Sequence, residues 1–589
     1  MIELEPKIWK SNLKNEFGQH VYVFHYEYKN GIPVEDIQNS IKELYNDFKN
    51  KKDDIYFSVN ILVNDYQGEP AKWRRLVPFR DVQKEELNLP DLYQKLVDYY
   101  GNYEIREIDK LKAFQVLIIP KEELLIGGCY ANNEKKHNKN NNEKKHNKNN
   151  NEKKHNKNNN EKKLIISFNE GGKKINKAKG VSLKERHPII FKTCHENIKF
   201  IECFDGDKYF KLSIDDYKKY RSKPLSSPYI FIISKTNNLK LDYEKFVEVA
   251  DKLKEISKGK YNLYKTGEIS KAALNRFYEI NKYVEAETVT PHEFLWISRT
   301  NLGGLMWAKK DYMGEGYEYD INSAYPSIYM RQNFLIPIKV GDFRTITKKE
   351  FEKMKSSYFK YGIYKCKVID ADQRLFSINY NNFYTHFDLT RAKELGYKME
   401  LIDESPNFLS YEGPGKKING CHLFRQYVKE IIRMKNEHPE LKDTLKKLLN
   451  SIWGVLCEKK KSKIIINEND DLEYVFNMNE VHSCLPFDKN ADSYILKKYV
   501  LDDPYETPFA RLGTFLVSKC RQELSRLIEP YIDSIVRIHT DGFISSKELP
   551  LDNKLGDNIG ELKKKYCNFI HVKNVNLIVD KNGVKAVFK

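Results

Sequence analysis

Asp320 closes an alternating stretch, YEYDI, and is followed by a turn and by Pro326, a residue suited to the first turn of a helix. A carboxylate at such a strand end can hold a divalent cation while the backbone N–H groups of Ser323 and Ala324 meet phosphate oxygens. Asp541 lies in SIVRIHTDGFISS, where apolar residues alternate on both sides of Asp-Gly; the pattern predicts a hairpin with the carboxylate at its tip. Between the two, LKKLLNSIWGVL predicts an amphipathic helix with Lys446, Asn450, Trp453 and Gly454 on one face. On that face a lysine can neutralise triphosphate charge, and a glycine lets a base pair approach the backbone. Each segment also has a purely structural reading. The first is then a strand-to-helix turn, the second a core helix packed by Leu445, Leu448, Leu449 and Ile452 and ended by a glycine cap, and the third an Asp-Gly turn.

Two carboxylates from different strands of one antiparallel sheet are what two-metal phosphoryl transfer requires. The three strings, in this order, resemble motifs A, B and C of family B DNA polymerases. D-x-x-S-x-Y-P-S from Asp320 matches motif A with Ala324 in place of the usual Leu, and K-x-x-x-N-S-x-W-G from Lys446 matches motif B with Trp453 in place of Tyr. Thr540-Asp541 falls on the T-D of motif C, whose first Asp is His539 here and whose last Ser is Gly542. The resemblance implies that Asp320 and Asp541 are catalytic and, with the backbone carbonyl of Ile321, bind two Mg²⁺ ions, for which Mn²⁺ can substitute. It implies a nucleotide site of Ser323, Ala324, Tyr325, Lys435, Lys446, Asn450, Trp453 and Gly454. In that site Tyr325 is the steric gate against ribonucleotides, and Lys435, in RQYVKEIIRMK, is the second triphosphate cation. His539 and Thr540 lie near the site without an assigned role. TNLGGLMW resembles the family's template-contacting element, with Gly303 and Gly304 retained and Leu302 replacing its aromatic-basic start.

Family B enzymes usually carry a 3′-5′ exonuclease with three carboxylate motifs, and one of these is found. Asn238 and Asp242 have the spacing of the second; no D-x-E precedes them in residues 164 to 237, where Asp205-Gly-Asp207 is the nearest pattern, and no Y-x-x-x-D follows before Asp320. A degenerate exonuclease-like domain with weak or absent proofreading is expected. The 118 residues between Ser327 and Lys446 and the 86 between Gly454 and Asp541 leave room for insertions. Such spacing is similar to the protein-primed branch of viruses, linear plasmids and mobile elements, where a terminal protein is a partner; priming by a nucleic acid stays open. The 48 residues after Asp541 leave little for a full thumb.

At 589 residues, two to four domains are expected. The sequence divides into an α+β unit at 1–130, a disordered repeat at 131–163, the exonuclease-like domain at 164–300 and the polymerase module at 301–589. The repeat is NEKKHNKNN; without apolar residues it cannot offset the entropy of ordering, so its His137, His146 and His155 are read as solvated rather than metal-binding. Eleven Lys and four Glu place seven of the eighteen net positive charges there, and about +11 remains for the rest, a balance that favours a polyanionic partner. Nine cysteines without a C-x-x-C pair read as reduced thiols. No run of about 18 apolar residues and no basic-apolar leader is present, so a cytoplasmic protein, or one at a site of viral or plasmid DNA replication, is expected.

The expected fold is an α+β multidomain right hand: a palm with an antiparallel sheet, helical fingers and a reduced thumb, after an α/β exonuclease-like domain. The expected function is DNA-directed DNA synthesis from deoxynucleoside triphosphates on primer-template DNA, in replication of a viral, plasmid or mobile-element genome. The rivals are a catalytically impaired remnant that still binds primer-template, suggested by His539 and the short thumb, and a reverse transcriptase or RNA polymerase with a similar palm.

Overall fold

The computed structural model describes residues 7–15, 19–33, 55–63, 72–81 and 110–120. It then describes most of 189–586, apart from short stretches between 194 and 237 and between 468 and 492 and the single positions 310, 380, 576 and 582. The repeat at 131–163 lies outside these. The chain is a mixed α/β protein of two compact units, one of residues 1–124, 277–432 and 449–589, the other of 125–276 and 433–448.

In the first unit the N-terminal alternations form a sheet. Its order is Tyr474–Phe476, Lys7–Asn15, His20–Pro33, Lys110–Pro120, Ile55–Val63, Lys72–Asp81. The alternating apolar stretches Tyr56 to Val63 and Phe114 to Ile119 fall in its fifth and fourth strands. The first strand in that order comes from far down the chain and pairs in parallel, Leu13 opposite Tyr474. Leu13, Val21, Val23, Leu117 and Ile119 share a core with Ile466, Cys484, Tyr494 and Leu496, and Asn60 Nδ2 donates to the Cys484 carbonyl at 2.8 Å. Alternating strands leave one apolar face that has to be covered. Here the segment between Gly454 and Asp541, folded as a three-stranded sheet of Lys461–Asn467, Ser493–Tyr499 and Val481–Pro486, covers it. The described N-terminal strands and this insertion thus share one core within the first unit.

A second sheet of the same unit is antiparallel throughout. Its order is Leu305–Ala308, Ile535–Thr540, Gly542–Ser545, Tyr312–Ile321, Leu562–Val572, Leu577–Asp580, Gly583–Ala586. One face is apolar: Leu305, Tyr319, Ile538, Phe543 and Leu562 pack with Leu524 and Ile528 of the helix Arg511–Ile528. Tyr319 and Phe543 stack at 5.0 Å. The opposite face carries a second apolar cluster, Val536, Ile544, Ile570, Val572 and Ile578, and at its other end the polar residues Glu318, Asp320, His539 and Lys563. The insertion between Ser327 and Lys446 builds its own sheet and core around Phe351, Tyr364, Phe376, Tyr384, Leu389 and Phe408.

The second unit holds a four-stranded sheet, Tyr209–Ser213, Phe200–Phe204, Ile189–Lys192, Ile230–Ile233, whose last pair is parallel. The helix Leu239–Ile256 begins just after Asn238, which caps it: Asn238 Oδ1 accepts from Leu241 N at 3.0 Å. Asp242 then sits in the first turn. Its carboxylate accepts from Ser234 Oγ at 2.7 Å, from Thr236 Oγ1 at 3.0 Å and from Thr236 N at 3.1 Å. Asp205 serves a turn, accepting from the backbone N–H groups of Asp207 and Lys208 at 3.0 Å each. Replacing Asp242 with alanine removes three accepted hydrogen bonds and is expected to cost about 1–2 kcal/mol, read by urea unfolding. A loss under ~0.5 kcal/mol would mean that the carboxylate is not structural.

Cys203, Cys366, Cys421, Cys457, Cys484, Cys520 and Cys567 are free thiols. Among the described residues no helix is long and apolar enough to cross a membrane.

Candidate active site

Asp320 is the penultimate residue of Tyr312–Ile321, and two strands hold it between them: it lies directly opposite Gly542 on one side and Lys563 on the other. Gly542 in turn lies opposite His539. Residues directly opposite in antiparallel pairs point to the same face, so His539, Asp320 and Lys563 stand in one row across the polar face. Asp320 and Lys563 are exposed, whereas His539 is buried. Gly542 makes room in that row: a Cβ there would come within 3.2 Å of Asp320 Oδ1 and 3.0 Å of the Tyr319 carbonyl. A side chain at 542 would require these neighbours to give by a few tenths of an ångström.

Asp541 occupies the hairpin tip, as the Asp-Gly pattern predicts. Its carbonyl accepts from Ile321 N at 3.1 Å, so its main chain is one hydrogen bond from the residue after Asp320. Thr540 Oγ1 donates to Asp541 Oδ1 at 2.8 Å and lies 3.3 Å from His539 Nδ1. Thr540 and Ser323 are both in the left-handed region at φ 53°, a conformation with a real cost for a β-branched residue. Thr540 ends the strand Ile535–Thr540 and Ser323 precedes the helix Ala324–Tyr329, and nothing in the local pattern announces either conformation.

The turn after Asp320 is tied down from the other side. Asn322 N donates to the Glu561 carbonyl at 2.8 Å, Gly560 N returns a bond to the Asn322 carbonyl at 2.8 Å, and Asn322 Nδ2 reaches the Asn558 carbonyl at 3.1 Å. These bonds fix the start of Leu562–Val572, the strand that carries Lys563. The helix Ala324–Tyr329 follows, with Pro326 in its first turn. Tyr325 packs its ring against Trp453 at 4.8 Å, and Tyr329 Oη donates to the Leu449 carbonyl at 3.2 Å. Burial, with the nearby Cys520 thiol and Asp541 carboxylate adding to it, pushes the Tyr325 phenol well above its ordinary value, so it stays a hydrogen-bond donor.

The helix Lys442–Leu456 has the buried and the exposed face that its spacing predicts, without the glycine cap. Leu445, Leu448, Leu449 and Ile452 are buried, while Lys446, Asn450 and Gly454 are exposed and Trp453 is half-buried. Gly454 lies within the helix and does not cap it, and a Cβ there would meet nothing within 4 Å. Lys435 is half-buried on the preceding helix, Gly420–Glu437. Lys435 and Lys446 fall in the second compact unit, and Asn450, Trp453 and Gly454 in the first.

Gly303 and Gly304 are placed by packing. Gly303 has φ 73°; a Cβ on Gly304 would stand 2.8 Å from Thr540 Cα, and the next residue, Leu305, pairs with Thr540. The pair therefore adjoins the Asp541 hairpin. The structure thus gathers Asp320, Ile321, Tyr325, Trp453, His539, Thr540, Asp541, Gly303 and Gly304 within one unit. Sequence reasoning missed Lys563 and Lys565, which pair with Asp320 and Glu318 and share their face. The signal was the run KKKY, a basic stretch followed by strand alternation in Ile570-His571-Val572.

The model for "DNA polymerase type B, organellar and viral" matches residues 186–500. The chain belongs to this family. It is a DNA-directed DNA polymerase, a nucleotidyltransferase of DNA replication. No curated protein sequence matches it. Similar solved structures include Phi29 DNA polymerase complexed with single-stranded DNA, at 14% identity and TM-score 0.42 over 66% of this chain and 72% of that one. Another is Phi29 DNA polymerase complexed with primer-template DNA and incoming nucleotide substrates, at 15% identity and TM-score 0.39 over 63% and 61%.

Proposed function

We propose that this type B polymerase extends a DNA primer by two-metal phosphoryl transfer at Asp320 and Asp541. The observation that carries the proposal is the hydrogen bond from Ile321 N to the Asp541 carbonyl, which sets the strand end bearing Asp320 beside the hairpin tip bearing Asp541, at the polar end of one sheet face. The donor set is hard oxygen: two carboxylates and the Ile321 carbonyl. Among the described residues no group of three or more His, Cys, Asp and Glu side chains could hold a metal ion without other donors. Two carboxylates and a carbonyl suit Mg²⁺, which keeps several waters and takes its remaining ligands from phosphate, and Mn²⁺ can replace it. When bound, the two ions would lower the pKa of the primer 3′-hydroxyl and neutralise the leaving pyrophosphate. Gly542 leaves space for the Asp320 carboxylate, and Thr540 orients that of Asp541.

In this reading the seven-stranded sheet is the palm and the helices Gly420–Glu437 and Lys442–Leu456 are the fingers, with Lys435 and Lys446 meeting the triphosphate and Ser323 and Ala324 its oxygens. Asn450, Trp453 and Gly454 flank the nascent base pair, and Gly303 and Gly304 face the template. Lys563 and Lys565, exposed on the Asp320 face, suit the primer backbone. The region 164–300 is an exonuclease-like domain in which Asn238 and Asp242 serve the helix end instead of hydrolysis, a role supported by the bonds Asp242 makes to Ser234 and Thr236. Priming by a terminal protein and replication of a viral, plasmid or mobile-element DNA complete the proposal; it rests there on the long spacings between motifs alone.

The test is extension of a primed DNA template by the native chain with Mg²⁺ and one deoxynucleotide at a time. Extension is expected; a folded chain that binds the template and adds nothing would favour the remnant reading. A Tyr325→Ala variant is expected to raise ribonucleotide incorporation relative to deoxynucleotide by on the order of 10- to 100-fold, because the ring that fills the space of a 2′-hydroxyl is gone. An unchanged ratio would remove Tyr325 from sugar selection.

A further inference from the structure

We infer that Arg521 is a positioning residue that sets the place of Asp541 through the Gly303–Gly304 turn. The inference rests on the two-carboxylate reading of the site. Arg521 lies on Arg511–Ile528, the helix that packs under the palm sheet, and its side chain is 6% exposed. Nη2 is 2.8 Å from Asp388 Oδ1, and Nη1 donates to the carbonyl of Gly303. Asp388 is itself immobilised: it is the third residue of the helix His386–Glu394, its other oxygen accepts from Thr385 N at 3.1 Å and Thr385 Oγ1 at 2.8 Å, and Thr385 Oγ1 lies 2.8 Å from Ser518 Oγ on the Arg521 helix. Arg521 is thus a fixed fork with one prong on a buried carboxylate and the other on a backbone carbonyl.

What it grips leads straight to the metal turn. Gly303 is held at φ 73°, so its carbonyl direction is set by a backbone state that Arg521 locks. Gly304 then meets Thr540 so closely that no Cβ fits, and Leu305 pairs with Thr540 in the sheet. Thr540, at φ 53°, donates to the Asp541 carboxylate at 2.8 Å. The order of contact is Asp388, Arg521, Gly303, Gly304, Thr540, Asp541, with a hydrogen bond, a peptide bond or a van der Waals contact at every step. A strained turn persists only where its surroundings over-determine it, and Arg521 supplies part of that determination. Groups that orient a metal ligand from behind commonly matter on the order of 10- to 100-fold in affinity or rate. A lysine at 521 keeps the charge but has no planar fork to serve two acceptors at once.

Two variants attack opposite ends of the chain of contacts. Arg521→Lys loosens the grip on Gly303, and Gly304→Ala pushes a Cβ into Thr540 without touching the buried ion pair. Mn²⁺ binding to each full-length variant, followed by the electron paramagnetic resonance signal of the free ion, is compared with the native chain and with Asp541→Asn; melting temperature and single-turnover extension are recorded alongside. Both variants are expected to bind Mn²⁺ on the order of tenfold more weakly, with extension partly restored by raised metal and the KM for deoxynucleotide changed less than about twofold. Native Mn²⁺ affinity in both, beside a sensitive Asp541→Asn, would overturn the role of Arg521 even if melting temperatures fall. Mn²⁺ binding that is indifferent to Asp541→Asn would overturn the carboxylate site itself, and the inference with it.

Discussion

Replacing Asp320 with asparagine is expected to slow single-nucleotide extension by on the order of a thousandfold, with the affinity for primer-template changed by less than about threefold. The size follows from what the carboxylate would do. Roughly 4 kcal/mol of charge stabilisation at the reacting phosphate is a thousandfold in rate, and an amide offers the same shape without the charge. Asp320 is exposed at a strand end and pairs through its backbone, so the substitution leaves the sheet register and the Tyr319–Phe543 stack intact. Affinity for DNA is expected to rest on cations such as Lys563 and Lys565, which the change does not touch. Asp541→Asn should behave alike, and the double variant should be little worse than either single one, because residues that act as one unit are not additive. Retention of more than about a tenth of native extension in either single variant would remove it from the pair.

The two carboxylate turns were legible in the sequence because each is a local event. A strand that ends in Asp before a Pro-bearing turn, and a hairpin marked by Asp-Gly, need only a dozen residues to be recognised, and the exposed face of Lys442–Leu456 follows from helical spacing. The supports of the site were not legible, since they depend on which distant segments pair. Gly304 faces Thr540, more than two hundred residues on, and Lys563 faces Asp320, and no periodicity in either stretch specifies the partner. Sheet order is settled by burial of whole faces, which is also why Tyr474–Phe476 joins the N-terminal sheet. The Asn238–Asp242 pair shows the opposite difficulty. A carboxylate four residues after an asparagine fits a hydrolytic motif, and equally fits a helix whose first residue is capped by Asn and whose first turn carries an acid; both readings use the same letters, and only the partners Ser234 and Thr236 reveal the second.

The largest effect on stability is expected away from the chemistry, at Glu293. Thr290-Pro291-His292-Glu293 is a capping box at the start of Pro291–Thr300, readable as such from four letters, but Glu293 does more than cap. It pairs with Arg511 at 2.7 Å, both side chains fully buried, across 218 residues of sequence. Glu293 Oε1 also accepts from Gly341 N and Tyr411 Oη at 3.0 Å each, and Arg511 donates to the carbonyls of Glu287 at 2.6 Å and Thr288 at 3.0 Å. Nearly every donor and acceptor of the pair is used, so the cost of desolvating two charges is met by a complete hydrogen-bond set, and the loss of one partner strands the other in an apolar interior. Glu293→Gln or Arg511→Met is therefore expected to cost about 3–5 kcal/mol, seen as a lowered denaturant midpoint by circular dichroism. The double variant Glu293→Leu/Arg511→Met removes both charges and should lose less than the two single costs combined. Because Arg511 begins the helix that carries Arg521 and packs on the seven-stranded sheet, extension should fall with the folded fraction and recover where folding does. A single variant that costs under ~1 kcal/mol would show that the pair is dispensable and that the apolar packing around it holds these segments without it.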